Sequence, residues 1–382
     1  MKQSIETLCV HGGDHAFVDG ARSLIMPIYQ SAAFSHLVPG HNEHGFDYTR
    51  ISNPTRQHLE ETVSALEGAA YTIAFTSGMA AISCMFEQFA PGDQIVCSAD
   101  LYGGTVLLMD LVNKKNGIRF TFVDTTDRSA VEAAVTAETK AIYIETPSNP
   151  MMNVTDIRFC AETAHGVGAK LIVDNTFLSP YFQNPIGLGA DIVIHSGTKF
   201  LGGHNDTISG FICCADKALG ERLHKIAYAM GSTLSPMDSY LMIRGIKTLA
   251  VRMERQQQTA LAIARWLKDQ PQVEKVYYVG LPDHPGFELN AKQSRGSGSM
   301  LSFSLDTPET ALKILQNVKV ATFAESLGGP ETLITIPAIQ THKDVAEEER
   351  LKLGITNSLL RMSVGLENAD DLIADLDQAL NG

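Results

Sequence analysis

Short apolar segments alternate with helical segments from residue 71 to residue 196, and this alternation restricts the possible fold more than any other feature of the chain. The runs between the apolar segments carry apolar residues at helical spacing. Six segments are typical of strands that are buried on both faces: YTIAF, QIVCS, RFTFVD, KAIYIET, KLIVDNT and ADIVIHS. Strands joined through helices predict an α/β fold with a mostly parallel sheet that is covered on both faces.

The length of 382 residues predicts more than one hydrophobic core. Residues 1–55 are rich in turn-forming residues and predict an N-terminal arm. Residues 56–245 predict the α/β domain, which begins with a helix that ends at Gly68. Residues 246–382 predict a smaller α+β domain, in which a long helical stretch that begins near residue 239 leads into hairpin-like strands.

Composition excludes several classes of partner. The formal net charge of −13 argues against a nucleic acid or an anionic membrane as the main partner. The sequence contains no apolar run long enough to span a bilayer, and the first residues lack the apolar core of a secretory signal. Because none of the six cysteines forms a CxxC pair, we expect buried free thiols and a cytoplasmic protein: Cys9, Cys84, Cys97, Cys160, Cys213 and Cys214.

Polar residues directly follow several of the predicted strands, and ligands of open α/β sheets bind at that edge. Ser77 and Gly78 stand between a strand and a helix, where free main-chain N–H groups would bind an anion such as phosphate. An ordinary serine-capped turn gives the same pattern. Asp174 ends another apolar strand and needs a partner there. It could bind a metal ion, act as a general base, pair with a protonated ring nitrogen, or cap a helix.

Lys199 lies in the glycine-rich loop HSGTKFLGG, which follows the last of the six strands. Desolvation and a neighbouring cation would lower the pKa of its amine and make the amine nucleophilic. The hydroxyl groups of Ser196 and Thr198 would be able to hold phosphate oxygens beside it. A structural lysine that pairs with a carboxylate is the alternative interpretation.

Taken together, these residues match the needs of pyridoxal 5'-phosphate. Lys199 would form a Schiff base with its aldehyde, and Asp174 would keep the pyridine nitrogen protonated, so that the ring accepts electrons from a substrate carbanion. Tyr102, in the segment DLYGG, would stack on the face of the ring.

The chain resembles the cystathionine-processing family of pyridoxal-phosphate enzymes. This family includes cystathionine γ-synthase, cystathionine β- and γ-lyases, methionine γ-lyase and O-acylhomoserine sulfhydrylases. The resemblance implies the aspartate-aminotransferase-like fold, fold type I, with a large domain on a mostly parallel seven-stranded sheet and a smaller C-terminal domain. The motifs that carry it run from residue 27 to about residue 367: PIYQSAAF, YTRISNPTR, TSGMAAI, LYGGT, ETPSNP, VDNTF, HSGTKFLGGH, RGIKTLAVRM, AESLGGPETL and LLRMSVGLE.

The resemblance also implies roles for individual residues. Lys199 would carry the Schiff base and move protons, and Asp174 would pair with the ring nitrogen. Tyr102 would stack on the ring and act as a base towards the incoming amine. The phosphate would be held by four residues: Gly78, Met79, Ser196 and Thr198.

The N-terminal arm receives a role from the same resemblance. Tyr48 and Arg50 of the segment YTR would reach the phosphate in a neighbouring subunit. Each active site would then use two subunits, and the protein would be a homotetramer made of two such dimers.

On the substrate side, the resemblance gives Arg361 the task of binding the α-carboxylate, which suits the planar guanidinium group. Ser326 would assist beside it. Asn149 would lie near the ring oxygen of the cofactor.

We predict a carbon–sulfur lyase that performs β- or γ-elimination on cystathionine or a related sulfur amino acid. The alternative is γ-replacement by a cystathionine γ-synthase or an O-acylhomoserine sulfhydrylase. Thr335 stands where γ-lyases of the family carry a glutamate, and Ile336 stands where many relatives carry a histidine; both departures weaken a strict γ-lyase assignment.

Methionine γ-lyase is a second alternative. Gly104 stands where methionine γ-lyases carry a cysteine, and the segment SLGGPE replaces their SLGDAE. Both differences count against this activity, whereas Ile51 in YTRISNPT and the segment GSTLSPMD favour it.

A metal-binding protein is the remaining alternative from another class. His11 with His15, and His41 with His44, have spacings that a metal could use. Both pairs lie in the turn-rich arm, where the sequence predicts no strand or helix to fix them.

Overall fold

A computed structural model describes residues 3–14, 23–343 and 345–382. Its α-helices are α1 (Ile5–His11), α2 (Pro54–Glu67), α3 (Gly78–Phe86), α4 (Gly103–Leu108), α5 (Arg128–Ala134), α6 (Ile157–Gly166), α7 (Ser179–Phe182), α8 (Lys217–Met230), α9 (Pro236–Ile246), α10 (Leu249–Lys268), α11 (Phe287–Gln293), α12 (Pro308–Asn317), α13 (Glu347–Lys352) and α14 (Ala369–Asn381). Its strands are β1 (Tyr71–Phe75), β2 (Gln94–Ser98), β3 (Arg119–Val123), β4 (Thr139–Glu145), β5 (Lys170–Asp174), β6 (Ile192–Ser196), β7 (Gly210–Cys214), β8 (Val273–Tyr277), β9 (Met300–Leu305), β10 (Thr322–Phe323), β11 (Leu333–Thr335) and β12 (Leu359–Ser363).

The larger sheet has, in the described ranges, seven strands in the order β1-β7-β6-β5-β4-β2-β3. Strands β3, β2, β4, β5 and β6 are parallel, and β7 runs antiparallel to both β6 and β1. The predicted α/β fold with a mostly parallel sheet is therefore confirmed. The carboxyl ends of β1, β2, β4, β5 and β6 lie at one edge, which is where the sequence predicts the ligand site.

Strand β7 is the part of this sheet that the sequence analysis did not locate. Its segment GFICC follows β6 without an intervening helix, so the alternation of strands and helices gives no signal for it. Because no crossover helix returns the chain, β7 pairs antiparallel with β6. The connecting loop is the one that carries Lys199.

The smaller sheet has five strands within the described residues, in the order β10-β11-β12-β9-β8. A separate apolar core lies between this sheet and helices α10, α12 and α14, and it includes Phe303, Leu360 and Leu376. The predicted hairpin-like strands are confirmed as β8 and β9. The division of the chain at residues 55 and 245 stays a prediction.

The long helical stretch predicted from residue 239 is wrong in one respect, because α9 ends at Ile246 and α10 begins at Leu249. A side chain at Gly245 would come within 2.2 Å of the Gly202 carbonyl oxygen. The carbonyl oxygen of Gly245 also accepts a hydrogen bond from Arg252 at 2.9 Å. The interruption therefore brings α9 against the loop that carries Lys199, a tertiary contact that helical periodicity does not reveal.

Helix α2 is joined to the N-terminal arm through Asn53. The Asn53 side chain accepts the N–H groups of Thr55 and Arg56 at 3.0 and 3.4 Å and so caps the helix. Its amide donates to the carbonyl oxygen of Tyr29, in the arm, at 2.9 Å. Gly68 ends α2 with a left-handed φ of 73°, which confirms the predicted C-terminus.

All six cysteines are buried and free, as the sequence predicts. A search of the described residues for a helix with the length and hydropathy needed to cross a bilayer found none.

Replacement of Asn53 by alanine should lower the free energy of unfolding by about 1–3 kcal/mol, because it removes the helix cap and leaves buried N–H groups without an acceptor. Urea denaturation monitored by circular dichroism measures the change. The exposed Asn317, which donates only to the Lys313 carbonyl oxygen, provides the control, and its alanine variant should stay within about 0.5 kcal/mol of the parent. Equal losses in the two variants would contradict the prediction.

Candidate active site

A cavity of about 250 Å³ lies at the carboxyl edge of the larger sheet, where the smaller sheet meets it. The structure brings ten of the twelve residues that the sequence analysis selected for the site to the wall of this cavity: Gly78, Met79, Tyr102, Asn149, Asp174, Ser196, Thr198, Lys199, Ser326 and Arg361. Tyr48 and Arg50 are the two that do not line it.

Lys199 follows β6 in a turn in which its N–H group donates to the Ser196 carbonyl oxygen at 3.2 Å. The Lys199 amine donates to the Ser326 hydroxyl at 2.9 Å. No carboxylate among the described residues lies within 4 Å of the amine, so the alternative of a structural ion pair is wrong. Burial, and then the positive charge of Arg361, lowers the pKa of Lys199 to about 8.

Two groups hold the loop that carries Lys199. The Arg252 guanidinium is buried and donates to the Phe200 carbonyl oxygen at 2.8 Å. Gly328 packs from the other side with a φ of +82°, and a side chain there would come within 2.6 Å of the Phe200 nitrogen. Glycine is thus required at this close approach.

Asp174 ends β5 and is 8% exposed. Its Oδ1 atom accepts the N–H group and the hydroxyl of Thr176, at 3.0 and 2.6 Å, whereas Oδ2 is available to a donor in the cavity. Burial raises the pKa of Asp174 above the usual value for aspartate. The Thr176 hydroxyl accepts the N–H group of Ser196 at 2.9 Å, which links Asp174 to the strand that leads to Lys199.

The beginning of α3 provides an anion site. Ser77 caps this helix by accepting the N–H group of Ala80 at 3.0 Å. The N–H groups of Gly78 and Met79 precede it in the first turn, at the positive end of the helix dipole, and both residues line the cavity. The hydroxyl of Thr198 lies on the same cavity wall and exchanges hydrogen bonds with the Ser209 main chain.

Arg361, on β12, is 3% exposed. Its guanidinium donates to the Asn149 side-chain oxygen at 3.0 Å and to the Ser326 carbonyl oxygen at 3.1 Å. Its buried Nε atom has no partner among the described residues, and no carboxylate there forms an ion pair with it. Burial lowers the pKa of Arg361 to about 10. Because this value is still well above neutral pH, the guanidinium stays charged there. These properties suit a carboxylate ligand.

Ser326 contacts both cations of the cavity. Its hydroxyl accepts from Lys199 and its carbonyl oxygen accepts from Arg361. Its φ of +89° is left-handed, a conformation that costs a serine about 1–3 kcal/mol. The surrounding contacts therefore hold Ser326 in a conformation that aligns the two cations.

Glu145 is a site residue that sequence reasoning missed. It ends β4 directly beside Asp174 of β5, is buried, and lines the cavity. Its carboxylate accepts the main-chain N–H group of Tyr102 at 3.0 Å. Burial, and then the neighbouring Asp174 charge, raises the pKa of Glu145 well above its usual range. Its position at a strand end, in the segment ETPSNP, was the available signal.

Tyr102 immediately precedes α4 and is partly exposed at the cavity. Burial raises the pKa of its phenol. The hydroxyl is thus a proton donor at neutral pH in this state, and the base role implied by the resemblance stays a prediction.

Tyr48 and Arg50 lie away from the cavity of their own chain. The Arg50 guanidinium lies 4.4 Å from the ring centroid of Tyr228 and donates to the Tyr228 carbonyl oxygen at 2.9 Å. Tyr48 is exposed. Within a single chain, therefore, neither Tyr48 nor Arg50 contacts the cavity.

The histidine clusters do not form a metal site in the residues that the structure describes, where no group of three potential ligands comes together. His11 hydrogen bonds with Asp14 at 2.6 Å. His15 lies outside the described residues.

The residues present fit pyridoxal 5'-phosphate. The N-terminus of α3 suits the phosphate of the cofactor, and the available Oδ2 atom of Asp174 suits its protonated ring nitrogen. The Lys199 amine, which has no ion-pair partner, suits its aldehyde. The exposed face of Tyr102 is able to stack on an aromatic ring.

Comparison with known proteins gives a consistent result. A family model described as Cys/Met metabolism PLP-dependent enzyme matches residues 6–381. The chain is 47% identical to cystathionine gamma-lyase of Bacillus subtilis (strain 168), over 98% of each chain. It is 46% identical to cystathionine gamma-synthase of Haemophilus influenzae, over 98% of this chain and 97% of that protein. The crystal structure of cystathionine gamma-lyase from Lactobacillus plantarum complexed with L-serine superposes with a TM-score of 0.94 at 44% identity, over 99% of this chain and 98% of that chain.

In protein stripped of cofactor, the Lys199 amine should react with an aldehyde reagent with a titration midpoint near pH 8. Reductive alkylation across a pH series, followed by mass spectrometry of the Lys199 peptide, measures the midpoint. Arg361→Gln should raise it, because the Arg361 charge disfavours the protonated amine, whereas Arg361→Lys keeps the charge and should leave the midpoint nearly unchanged. A midpoint above pH 10 in the parent protein would contradict the prediction.

Proposed function

The chain belongs to the Cys/Met metabolism family of pyridoxal-phosphate-dependent enzymes, and we propose that it is a carbon–sulfur lyase that performs β- or γ-elimination on cystathionine or a related sulfur amino acid. The products would be a keto acid, ammonia and a thiol. The observation that carries the proposal is the placement of the Lys199 amine and the Arg361 guanidinium, neither of which has an ion-pair partner among the described residues, on either side of Ser326 in one cavity.

Asp174 and the beginning of α3 would hold the cofactor. Gly78 and Met79 would bind the phosphate through their N–H groups, assisted by the hydroxyls of Ser196 and Thr198. When bound, pyridoxal phosphate supplies an aldehyde that links to amines and a ring that accepts the electrons of a substrate carbanion.

The protein's own groups would position the substrate and move protons. Arg361 would bind the α-carboxylate through N–H groups that include the unpartnered Nε. The Nζ atom of Lys199 would remove the α-proton, and its lowered pKa leaves a fraction of the amine neutral at neutral pH. For γ-elimination, the same Nζ atom would first release the α-proton and, once neutral again, would remove a second proton from the β-carbon. The Ser326 hydroxyl would keep Nζ near both carbons.

An acidic hollow next to the cavity supports a substrate with a second amino group. The hollow shares Thr198 and Ser326 with the cavity, and its wall carries three carboxylates: Asp206, Asp238 and Glu325. The distal half of cystathionine carries an ammonium group that these carboxylates would attract, together with a carboxylate that would have to face away from them, whereas methionine has neither group. This favours cystathionine over methionine as substrate.

Gly104 gives a second argument against methionine γ-lyase. A side chain at this position would come within 2.5 Å of the Tyr102 ring. The cysteine that methionine γ-lyases carry at this position would therefore require a different position of the Tyr102 ring. Because the ring is rigid, all of it would have to move.

A γ-replacing synthase is the second candidate, because Thr335 weakens a strict γ-lyase assignment. Thr335 lies opposite Arg361 in the smaller sheet, and its hydroxyl donates to the Gln340 side chain. The site thus has a neutral pair next to Arg361 at the place where the family's γ-lyases carry a glutamate.

We propose further that the protein is a homotetramer made of dimers that share active sites, in the cytoplasm. The exposed arm supports this assembly, since Leu24 is 99% exposed and Leu37 is 85% exposed. Tyr48 and Arg50 belong to the same arm and would complete the phosphate site of the neighbouring subunit. The free thiols agree with a reducing compartment.

Incubation of the cofactor-loaded protein with L-cystathionine should release a keto acid, identified by mass spectrometry. Pyruvate indicates β-elimination and 2-oxobutyrate indicates γ-elimination. Lys199→Ala should lower turnover at least about 1,000-fold, because it removes the proton carrier, while the exposed Lys114→Ala should not change it. If the loaded protein produces no keto acid, the lyase proposal fails, and C–S bond formation from an activated homoserine and a thiol would then establish the synthase.

Shared active sites predict complementation between two inactive variants. Lys199→Ala and Arg50→Ala should each have low activity alone. In a mixed dimer, one site receives the native Lys199 from one chain and the native Arg50 from the other, so random mixing of co-expressed chains should restore about a quarter of the parental activity. Absence of any gain would contradict the sharing of Arg50 between subunits.

A further inference from the structure

We propose that His342 is a positioning residue, which keeps Asn149 and Thr341 in place so that Arg361 meets the substrate carboxylate in the correct orientation. This inference rests on the carboxylate-binding role proposed above for Arg361. His342 is 2% exposed and lies in the turn that follows Pro337–Ile339, a short 3₁₀-helix of the C-terminal part of the chain.

The first contact of His342 is with the segment that orients Arg361. Its Nε2 atom lies 3.1 Å from the Asn149 carbonyl oxygen. The side-chain oxygen of the same Asn149 accepts the hydrogen bond from Arg361 at 3.0 Å. His342 thus fixes the main chain of the residue whose side chain directs the guanidinium group.

The hydrogen bond to Asn149 fixes one hydrogen of the imidazole, and burial keeps the ring neutral. A main-chain carbonyl oxygen only accepts, so Nε2 of His342 must carry a hydrogen. The neutral ring then accepts at Nδ1, where the Thr341 hydroxyl donates at 2.9 Å. Burial, and then the charge of Arg361, lowers the pKa of His342 to about 4, which agrees with a neutral ring.

The second contact of His342 is with Thr341, which lies at the wall of the active-site cavity. The carbonyl oxygen of Thr341 packs on Gly103, where a side chain would come within 2.8 Å of it. Gly103 begins α4 and directly follows Tyr102. The imidazole therefore joins the carboxylate side of the cavity to the helix that directly follows Tyr102.

The turn itself is held in place on its other side. The N–H group of His342 donates to the Pro337 carbonyl oxygen at 2.9 Å. Arg350, from α13, donates to the Ala338 carbonyl oxygen at 2.9 Å. Loss of the imidazole would leave these anchors intact and would release only the contacts with the Asn149 carbonyl oxygen and the Thr341 hydroxyl.

The expected consequence is selective for ligands that have a carboxylate. Without His342, the Asn149 carbonyl oxygen loses its buried donor and the Asn149 side chain loses its fixed position beside Arg361. Binding of a carboxylate should weaken, whereas binding of an amine that has no carboxylate should not. A purely structural role would weaken both.

L-alanine and ethylamine form the matched pair of probes, because they differ only in the carboxylate. Their dissociation constants are measured with the cofactor-loaded protein from the change in its visible absorption, a readout that does not depend on which reaction the enzyme catalyses. His342→Ala should raise the dissociation constant of L-alanine about tenfold or more and should keep that of ethylamine within about twofold of the parent value. Thr341→Val should act in the same direction, and Thr341→Ser, which keeps the hydroxyl, should not.

Two further variants separate the inference from its alternatives. His284, a half-buried histidine outside the cavity, is the control for loss of an imidazole, and its alanine variant should change neither constant. Arg361→Lys should weaken L-alanine selectively. The inference would be overturned if both His342→Ala and Thr341→Val left the binding of the two probes unchanged or weakened it equally. It would also be overturned if His284→Ala weakened the binding of L-alanine selectively. If Arg361→Lys shows no selectivity, the carboxylate assignment of the proposed function fails and the inference fails with it.

Discussion

Buried ionisable groups without ion-pair partners are the constraint on which the rest of this structure depends. The cavity contains the Lys199 amine, the Arg361 guanidinium and the carboxyl groups of Asp174 and Glu145, and no ion pair joins them among the described residues. Removal of such groups from water costs free energy that a partner must offset. The neutral donors and acceptors around them offset part of it, and a ligand with a phosphate, a ring nitrogen and a carboxylate would offset more. The site is thus built for a ligand of that composition.

The two sheets contribute different halves of this site. The parallel sheet supplies the lysine and both carboxyl groups, because the carboxyl ends of its strands meet at one edge. The smaller sheet supplies Arg361 on β12. Ser326 connects the halves through its contacts with both cations, in a backbone conformation that serine rarely adopts. His342 connects them again through Asn149. The alignment of cofactor and substrate groups therefore depends on how the sheets are packed together.

Substrate choice depends on a few side chains around the cavity, whereas the residues that fit the cofactor and the α-carboxylate are the same for each candidate reaction. The chain is nearly equally similar to a γ-lyase and to a γ-synthase, so overall identity does not separate the two reactions. The differences with a physical basis are local. They are the neutral Thr335 and Gln340 pair near Arg361, the space that Gly104 leaves for the Tyr102 ring, and the carboxylates of the neighbouring hollow.

The sequence by itself determined the α/β architecture, the course of α2 to Gly68, and six of the ten selected residues that the structure places at the cavity, because strand periodicity, capping and strand-end position are local properties. The family resemblance supplied the other four: Met79, Asn149, Ser326 and Arg361. The sequence did not locate β7, the break between α9 and α10, Glu145 or His342. Strand β7 lacks a crossover helix, and the break lies next to the close contact of Gly245 with Gly202. Glu145 and His342 act through main-chain atoms of residues distant in the chain. Only the tertiary structure decided these features, since it alone brings such atoms together.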